Sequence, residues 1–120
     1  MKFEYDRENI FAKILRGEIP NSTVYESDHA LAFNDIAPQA PIHILVIPKG
    51  PYVSIDHFAR DASAEEQVGF FSAVSEVCEI AGVEEGFRAI ANTRAHGHQD
   101  VPHFHLHILG GRAVGPLLAK

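Results

Sequence analysis

At 120 residues and 46% hydrophobic content the chain is the size of one ordinary domain, and a single domain over residues 1–120 is expected. The formal charge is -6, from 16 acidic against 10 basic side chains scattered singly, so no basic stripe exists to neutralise a run of phosphates and a nucleic-acid polymer is not an expected partner. The lone cysteine, Cys78, excludes an internal disulfide and any multi-cysteine zinc site; the acidic start "MKFEYDRENI" and the absence of an apolar run near the ~20 residues of a membrane span point to a cytoplasmic protein with no membrane partner.

In chain order, Asn9 precedes "IFAKILRGEIP", where Ile10, Phe11, Ile14 and Leu15 recur at helical spacing before Gly17 and Pro20, which predicts a short helix. "STVYES" and "HALAFND" alternate apolar and polar residues around "SD", as a hairpin does. "PQAP" breaks the chain before "IHILVIPKG", a β-branched run that suits a covered central strand ending at Pro48 and Gly50. Ser63 and Glu66 have capping-box spacing, and Phe70, Phe71, Val74, Val77, Cys78 and Ala81 follow at threes and fours, so a long helix is predicted to close near Gly82 with Cys78 as a small buried thiol. "FRAIAN" predicts a strand over 87–92, "TRAHGHQDVP" an irregular loop, and "HFHLHIL" a last strand before Gly110 and Gly111. About five mostly antiparallel strands and two helices make this an α+β domain.

The last strand carries the chemistry. In a regular strand His103, His105 and His107 would line one face at steps of about 6.7 Å, with Phe104, Leu106 and Ile108 packed beneath the long helix on the other. Three imidazoles in a row must each find partners for two nitrogens, which a merely solvated face does not explain. A shared zinc is one reading, but His103 and His107 would be about 13 Å apart, so at most two of the row plus a histidine from elsewhere would ligate one ion. The other reading is nucleophilic catalysis by the middle imidazole, with the neighbours positioning substrate and leaving group. His43, among apolar β residues of another strand, is the candidate fourth member, and the glycine-containing "HGHQD" supplies backbone amides able to cradle an anion.

These residues resemble a known family. "HFHLHIL" looks like the His-φ-His-φ-His-φφ signature of the histidine triad (HIT) superfamily, and "IFAKILRGEIP", "LAFNDIAPQAPIHILVIPK" and "HFHLHILGGR" are similar in order and spacing to blocks of its Hint branch, the purine nucleoside phosphoramidases. The tail "LGGRAVGPLLAK" is most similar to bacterial members. The resemblance implies a five-stranded antiparallel sheet with one long and one short helix, paired across a homodimer into ten strands. The activity it implies is hydrolysis of adenosine or guanosine 5'-monophosphoramidates through a nucleotidyl-histidine; no cofactor is expected, and no metal, because the row geometry does not bring three rings onto one ion. By motif position, His105 is the implied nucleophile, with its second ring nitrogen on the His103 carbonyl. His103 and His107 are expected to flank the phosphate, and His43 to complete the histidine network. Asp35 is the implied ribose acceptor, Phe11, Ile19, Phe33 and Ile36 the base pocket, and Asn92 with the amides near Gln99 and Asp100 the phosphate contacts.

The chain departs from that pattern at three places. His98 stands where members commonly have a second glycine, so a positive φ there would strain the loop. Pro102 replaces the usual aromatic before the triad, and the absence of tryptophan removes the tail residue that animal members send to the partner's site. Asp100 occupies a position where animal members carry a serine near the leaving group, so a carboxylate there would favour amine leaving groups over acidic ones. Three alternatives remain at this level: a zinc-binding hydrolase, a dinucleoside polyphosphate hydrolase, and a regulatory nucleotide-binding interaction module. "GGR" after the triad fits the Hint branch better than the dinucleoside branch.

Overall fold

The computed structural model describes residues 1–119; Lys120, the last residue of the expected domain and of the tail block, lies outside it. Its centre is a five-stranded sheet of β1 (Thr23–Glu26), β2 (Ala30–Asn34), β3 (Ile42–Pro48), β4 (Phe87–Ile90) and β5 (Leu106–Gly110), in the order β1-β2-β3-β5-β4. Every neighbouring pair is antiparallel. The expected hairpin is β1–β2, and the β-branched run of β3 takes the central position, where such side chains pack well on both faces.

Three helices accompany the sheet: α1 (Ile10–Leu15), α2 (Ile55–Asp61) and α3 (Ala64–Ala81). Asn9 caps α1 by accepting from the Ala12 N–H, and Gly17 takes a φ of 78° just past its end. Ser63 and Glu66 form both halves of the capping box of α3, and Gly82 ends it in the left-handed conformation. The two-helix expectation is corrected by α2. Ser54 caps it, but Phe58 is its one buried side chain, so seven residues carry too little periodicity to read as a helix.

The two faces of the sheet have separate covers. Ile44, Val46, Leu106 and Ile108 pack with Phe104 against Phe58, Phe70, Ala73 and Val77, the larger core beneath α3. Burial of each large side chain there contributes about 2 kcal/mol. Leu31, Phe33, Leu45 and Ile47 turn to the other face and meet Phe11 and Ile14 of α1. β3 and β5 pair Leu45 with His107 and His43 with Leu109, which sets both histidines on this second, more thinly covered face. On α3, Phe71 stays exposed together with Val68 and Ile80, and Cys78 is half-buried, so the expected burial of Cys78 is corrected. Among the described residues no helix is long and apolar enough to cross a membrane.

Candidate active site

β5 begins at Leu106, so the row of three histidines does not lie in one regular strand as expected. The cause is the turn before it: the His103 N–H donates to the Val101 carbonyl at 2.8 Å across Pro102, a three-residue turn that suits the φ fixed by proline. The Phe104 N–H then donates to the Tyr52 carbonyl at 2.8 Å, which aligns the segment before β5 reaches its ladder. Phe104, Leu106 and Ile108 nevertheless fill the core under α3, as the alternation predicts.

The ring of His103 is 0% exposed. Its Nε2 lies 2.8 Å from the Pro48 carbonyl, which only accepts, so Nε2 carries the proton. Nδ1 then accepts from the Tyr5 hydroxyl at 2.6 Å. With both nitrogens engaged, this ring has none to offer a phosphate, and the expectation that it flanks one is corrected: what His103 presents to its neighbour is its carbonyl. That carbonyl accepts the Nδ1–H of His105 at 2.7 Å, the contact the motif implied. The lone pair of His105 is therefore on Nε2, held between the edge of Phe11 and the ring of His107, each with centroids 5.0 Å away.

A second relay fixes His107. The Gln39 backbone N–H donates to Nδ1 of His43 at 3.0 Å, so His43 carries its proton on Nε2, 2.9 Å from Nδ1 of His107. His107 accepts there and holds its own proton on Nε2. That N–H is buried and has no hydrogen-bond partner among the described residues, which leaves a donor able to meet an anionic oxygen. Burial, reinforced by the neighbouring His105, depresses the pKa of His107 to about 4, so the donor is a neutral imidazole at pH 7.

Asp35, just past the end of β2, has Oδ1 bound to the Ala37 N–H at 2.8 Å and Oδ2 3.5 Å from Nε2 of His43. Ligand atoms of Asp35, His43 and His107 lie within 4.8 Å of one another, the spacing of a metal's donors and the arrangement of two histidines from separate strands. Their protonation does not suit a cation. For Nε2 of His43 to ligate, Nδ1 would have to take the proton, and it would then face the Gln39 N–H donor to donor.

The loop from Thr93 to Asp100 is folded on itself. The Gly97 N–H donates to the Thr93 carbonyl, and a Cβ on Gly97 would lie 2.5 Å from the Thr93 nitrogen, so only glycine fits. His98 has φ of 55° and Arg94 of 52°, both in the left-handed region, which realises the strain expected where His98 replaces glycine. The Gln99 side chain is spent inside the loop: its oxygen accepts from the Arg94 N–H, and its amide donates to the Val53 and Val101 carbonyls. The backbone N–H of Gln99 is spent as well, on the Arg94 carbonyl at 3.1 Å, so the expectation that the amide of Gln99 contacts a phosphate is corrected. Asp100 is solvent-exposed, with Oδ1 3.5 Å from Nε2 of His105.

The remaining expected residues fall into two groups. Asn92 shares a cleft of about 640 Å³ with His43, His107 and Arg88, walled by the C-terminal tail. Phe11 and Phe33 meet edge to face at 5.5 Å in the smaller core, with Ile19 packed against it, whereas Ile36 is 99% exposed and belongs to neither core. Reasoning from sequence missed Tyr5 altogether; the usable signal was the inward alternation of Phe3 and Tyr5 among charged neighbours.

An antiparallel sheet that presents two imidazoles from adjacent strands, beside a third whose tautomer a main-chain carbonyl sets, defines a histidine-triad protein. The chain belongs to the HIT domain family, which matches residues 16–114. A 13.2 kDa HIT-like protein of Azospirillum brasilense is 53% identical over 97% of this chain and 96% of its own length. The purine nucleoside phosphoramidase of Escherichia coli is 45% identical over 93% and 94%. Among solved structures, a HIT family hydrolase of Legionella pneumophila superposes with a TM-score of 0.80 at 39% identity, covering 88% of this chain and 95% of that one.

Proposed function

We propose that the protein hydrolyses purine nucleoside 5'-monophosphoramidates through a covalent nucleotidyl-histidine. The observation that carries this reading is the hydrogen bond from Nδ1 of His105 to the His103 carbonyl, which leaves Nε2 as the nucleophilic nitrogen. Nε2 attacks the α-phosphorus, the P–N bond breaks and the amine departs with a proton. Water then attacks the same phosphorus, the bond to His105 breaks, and the nucleoside monophosphate is released. The unpartnered Nε2–H of His107 meets a non-bridging oxygen, helped by Asn92 and the backbone amide at Asp100. Asp35 accepts from the ribose hydroxyls; the base rests against Ile19 and Ile36, with Phe11 and Phe33 behind. The names of the Escherichia coli and Legionella relatives support both the reaction class and the phosphorus–nitrogen substrate. A cytoplasmic location belongs to the same reading, in keeping with the single free thiol.

Turnover of adenosine 5'-monophosphoramidate against diadenosine polyphosphates, each with and without chelator, tests the reading. The phosphoramidate is expected to be hydrolysed faster, and exhaustive chelation to leave the rate unchanged; activity lost to chelator and restored by zinc would transfer the chemistry to a metal. In the same assay Asp100, facing the nucleophilic nitrogen, is expected to favour a lysyl-type amide over an acidic leaving group. An unchanged ratio in Asp100→Ser would remove it from leaving-group selection.

The proposed enzyme is a homodimer. β4 ends the sheet with Phe87 exposed on it, and α3 exposes Val68, Phe71 and Ile80, apolar side chains that a second copy would cover. Arg88, the charge on β4, turns to the tail and donates to the Pro116 and Gly115 carbonyls. Sedimentation at micromolar concentration is expected to give twice the chain mass, and a monomer there would refute the pairing.

A further inference from the structure

The nine residues before α1 have no regular secondary structure, yet they reach the centre of the site. Phe3 and Tyr5 turn inward while Lys2 and Glu4 stay exposed. Phe3 stacks on His57 with centroids 4.5 Å apart and lies under the Arg60 guanidinium at 4.6 Å. Tyr5 sets its ring edge-on to His103 at 5.6 Å and its hydroxyl on Nδ1 at 2.6 Å. The family match begins at residue 16, so this arm precedes the segment that the HIT domain matches.

His103 is anchored from two sides, by Tyr5 at Nδ1 and by the Pro48 carbonyl at Nε2. Its own carbonyl is in turn what orients His105. Because His103 sits in a bend ahead of β5, no ladder hydrogen bond within β5 holds it, and the ring anchors take that part. We propose that Tyr5 is a positioning residue for His105: its hydroxyl locks the ring of His103, and through the His103 carbonyl it fixes the direction of Nε2 on the nucleophile. Burial lowers the pKa of His103 to about 4, which keeps the ring neutral and Nδ1 an acceptor, and burial raises that of Tyr5, which keeps the phenol a donor. The inference rests on His105 being the nucleophile.

Two variants of the full chain separate positioning from general support. Tyr5→Phe keeps the ring and its edge contact and removes only the hydroxyl. Phe3→Leu loosens the arm and removes no hydrogen bond to the site. With adenosine 5'-monophosphoramidate, Tyr5→Phe is expected to lower kcat by about ten- to a hundredfold, the cost of a misdirected reacting atom, with KM within about twofold of the parent. Phe3→Leu is expected to turn over at close to the parent rate. In the resting proteins, imidazole nitrogen NMR is expected to show Nδ1 of His103 losing its hydrogen-bonded shift in Tyr5→Phe, and the Nδ1 proton of His105 exchanging faster. Parent-like kcat and an unmoved His105 proton in Tyr5→Phe would overturn the proposal, as would an equal loss of kcat in both variants. A parent inactive on every phosphoramidate would instead overturn the functional reading, and the NMR comparison would still decide whether Tyr5 orders His105.

Discussion

Replacing His105 by asparagine is expected to reduce turnover by about four orders of magnitude or more while leaving binding of the nucleoside monophosphate near the parent affinity. Asparagine is close to imidazole in size and has an N–H able to reach the His103 carbonyl, so the packing against Phe11 and His107 survives. What it lacks is a nitrogen lone pair at the position of Nε2. The groups proposed to hold the ligand without reacting, the Nε2–H of His107 and the Asp35 carboxylate, are untouched. Single-turnover kinetics and calorimetry with the monophosphate product measure the two effects separately. Comparable turnover in variant and parent would remove His105 from the chemistry.

The second large effect is loss of stability in mild acid. His103 and His107 each have pKa values near 4 in the folded protein, chiefly because burial disfavours the imidazolium. In the unfolded chain both titrate near the ordinary value of about 6.5. Between those values the unfolded chain binds protons that the folded rings refuse, so their contribution is complete above about pH 6.5 and falls away as the pH drops towards 4. For the fully enclosed His103 the loss by pH 4 is on the order of 3 kcal/mol, a large part of the roughly 5–15 kcal/mol that holds a typical domain folded. Asp56 acts in a different range. Arg94, then Ser54, hold its carboxyl well below the usual carboxylate values, and a depressed acid loses its contribution only as the pH falls below its unfolded value of about 3.9. Denaturant titrations at pH 7, 5.5 and 4 are expected to show midpoints falling across this window. A flat profile from 7 to 4.5 would show that the rings are not held neutral.

Much of this was legible in the residues. The capping box at Ser63 and Glu66, the left-handed stop at Gly82 and the β-branched run of β3 are local signals, and each element lies where its own chemistry puts it. The alternation of Phe104, Leu106 and Ile108 with the histidines separates core from site in the sequence itself. Three things were not legible, each because it depends on the main chain or on distant contacts. The His103 ring leaves the expected row because Pro102 turns the backbone. α2 is stabilised by its Ser54 cap and the burial of Phe58 against Phe70 and Phe104, with little pattern of its own. Tyr5 finds its partner 98 residues away, a separation that no local spacing rule encodes.

The direction of the proton on His107 originates at the Gln39 amide. In "PQAP" the two prolines have no N–H, so that amide is one of few donors the loop possesses. Every residue but proline supplies it. An alanine scan through residues 38–41 would therefore report position 39 as dispensable, since Gln39→Ala leaves the amide in place and removes only a side-chain contact to the Ala37 carbonyl. A proline scan reads what alanine cannot: Gln39→Pro deletes the donor, frees Nδ1 of His43 to take the proton, and reverses the polarity of both rings, so that His107 would meet a phosphate oxygen lone pair to lone pair. Sequence drift at this position is thus no measure of its importance, because the information is held in the peptide bond and is inherited by nineteen residue types alike.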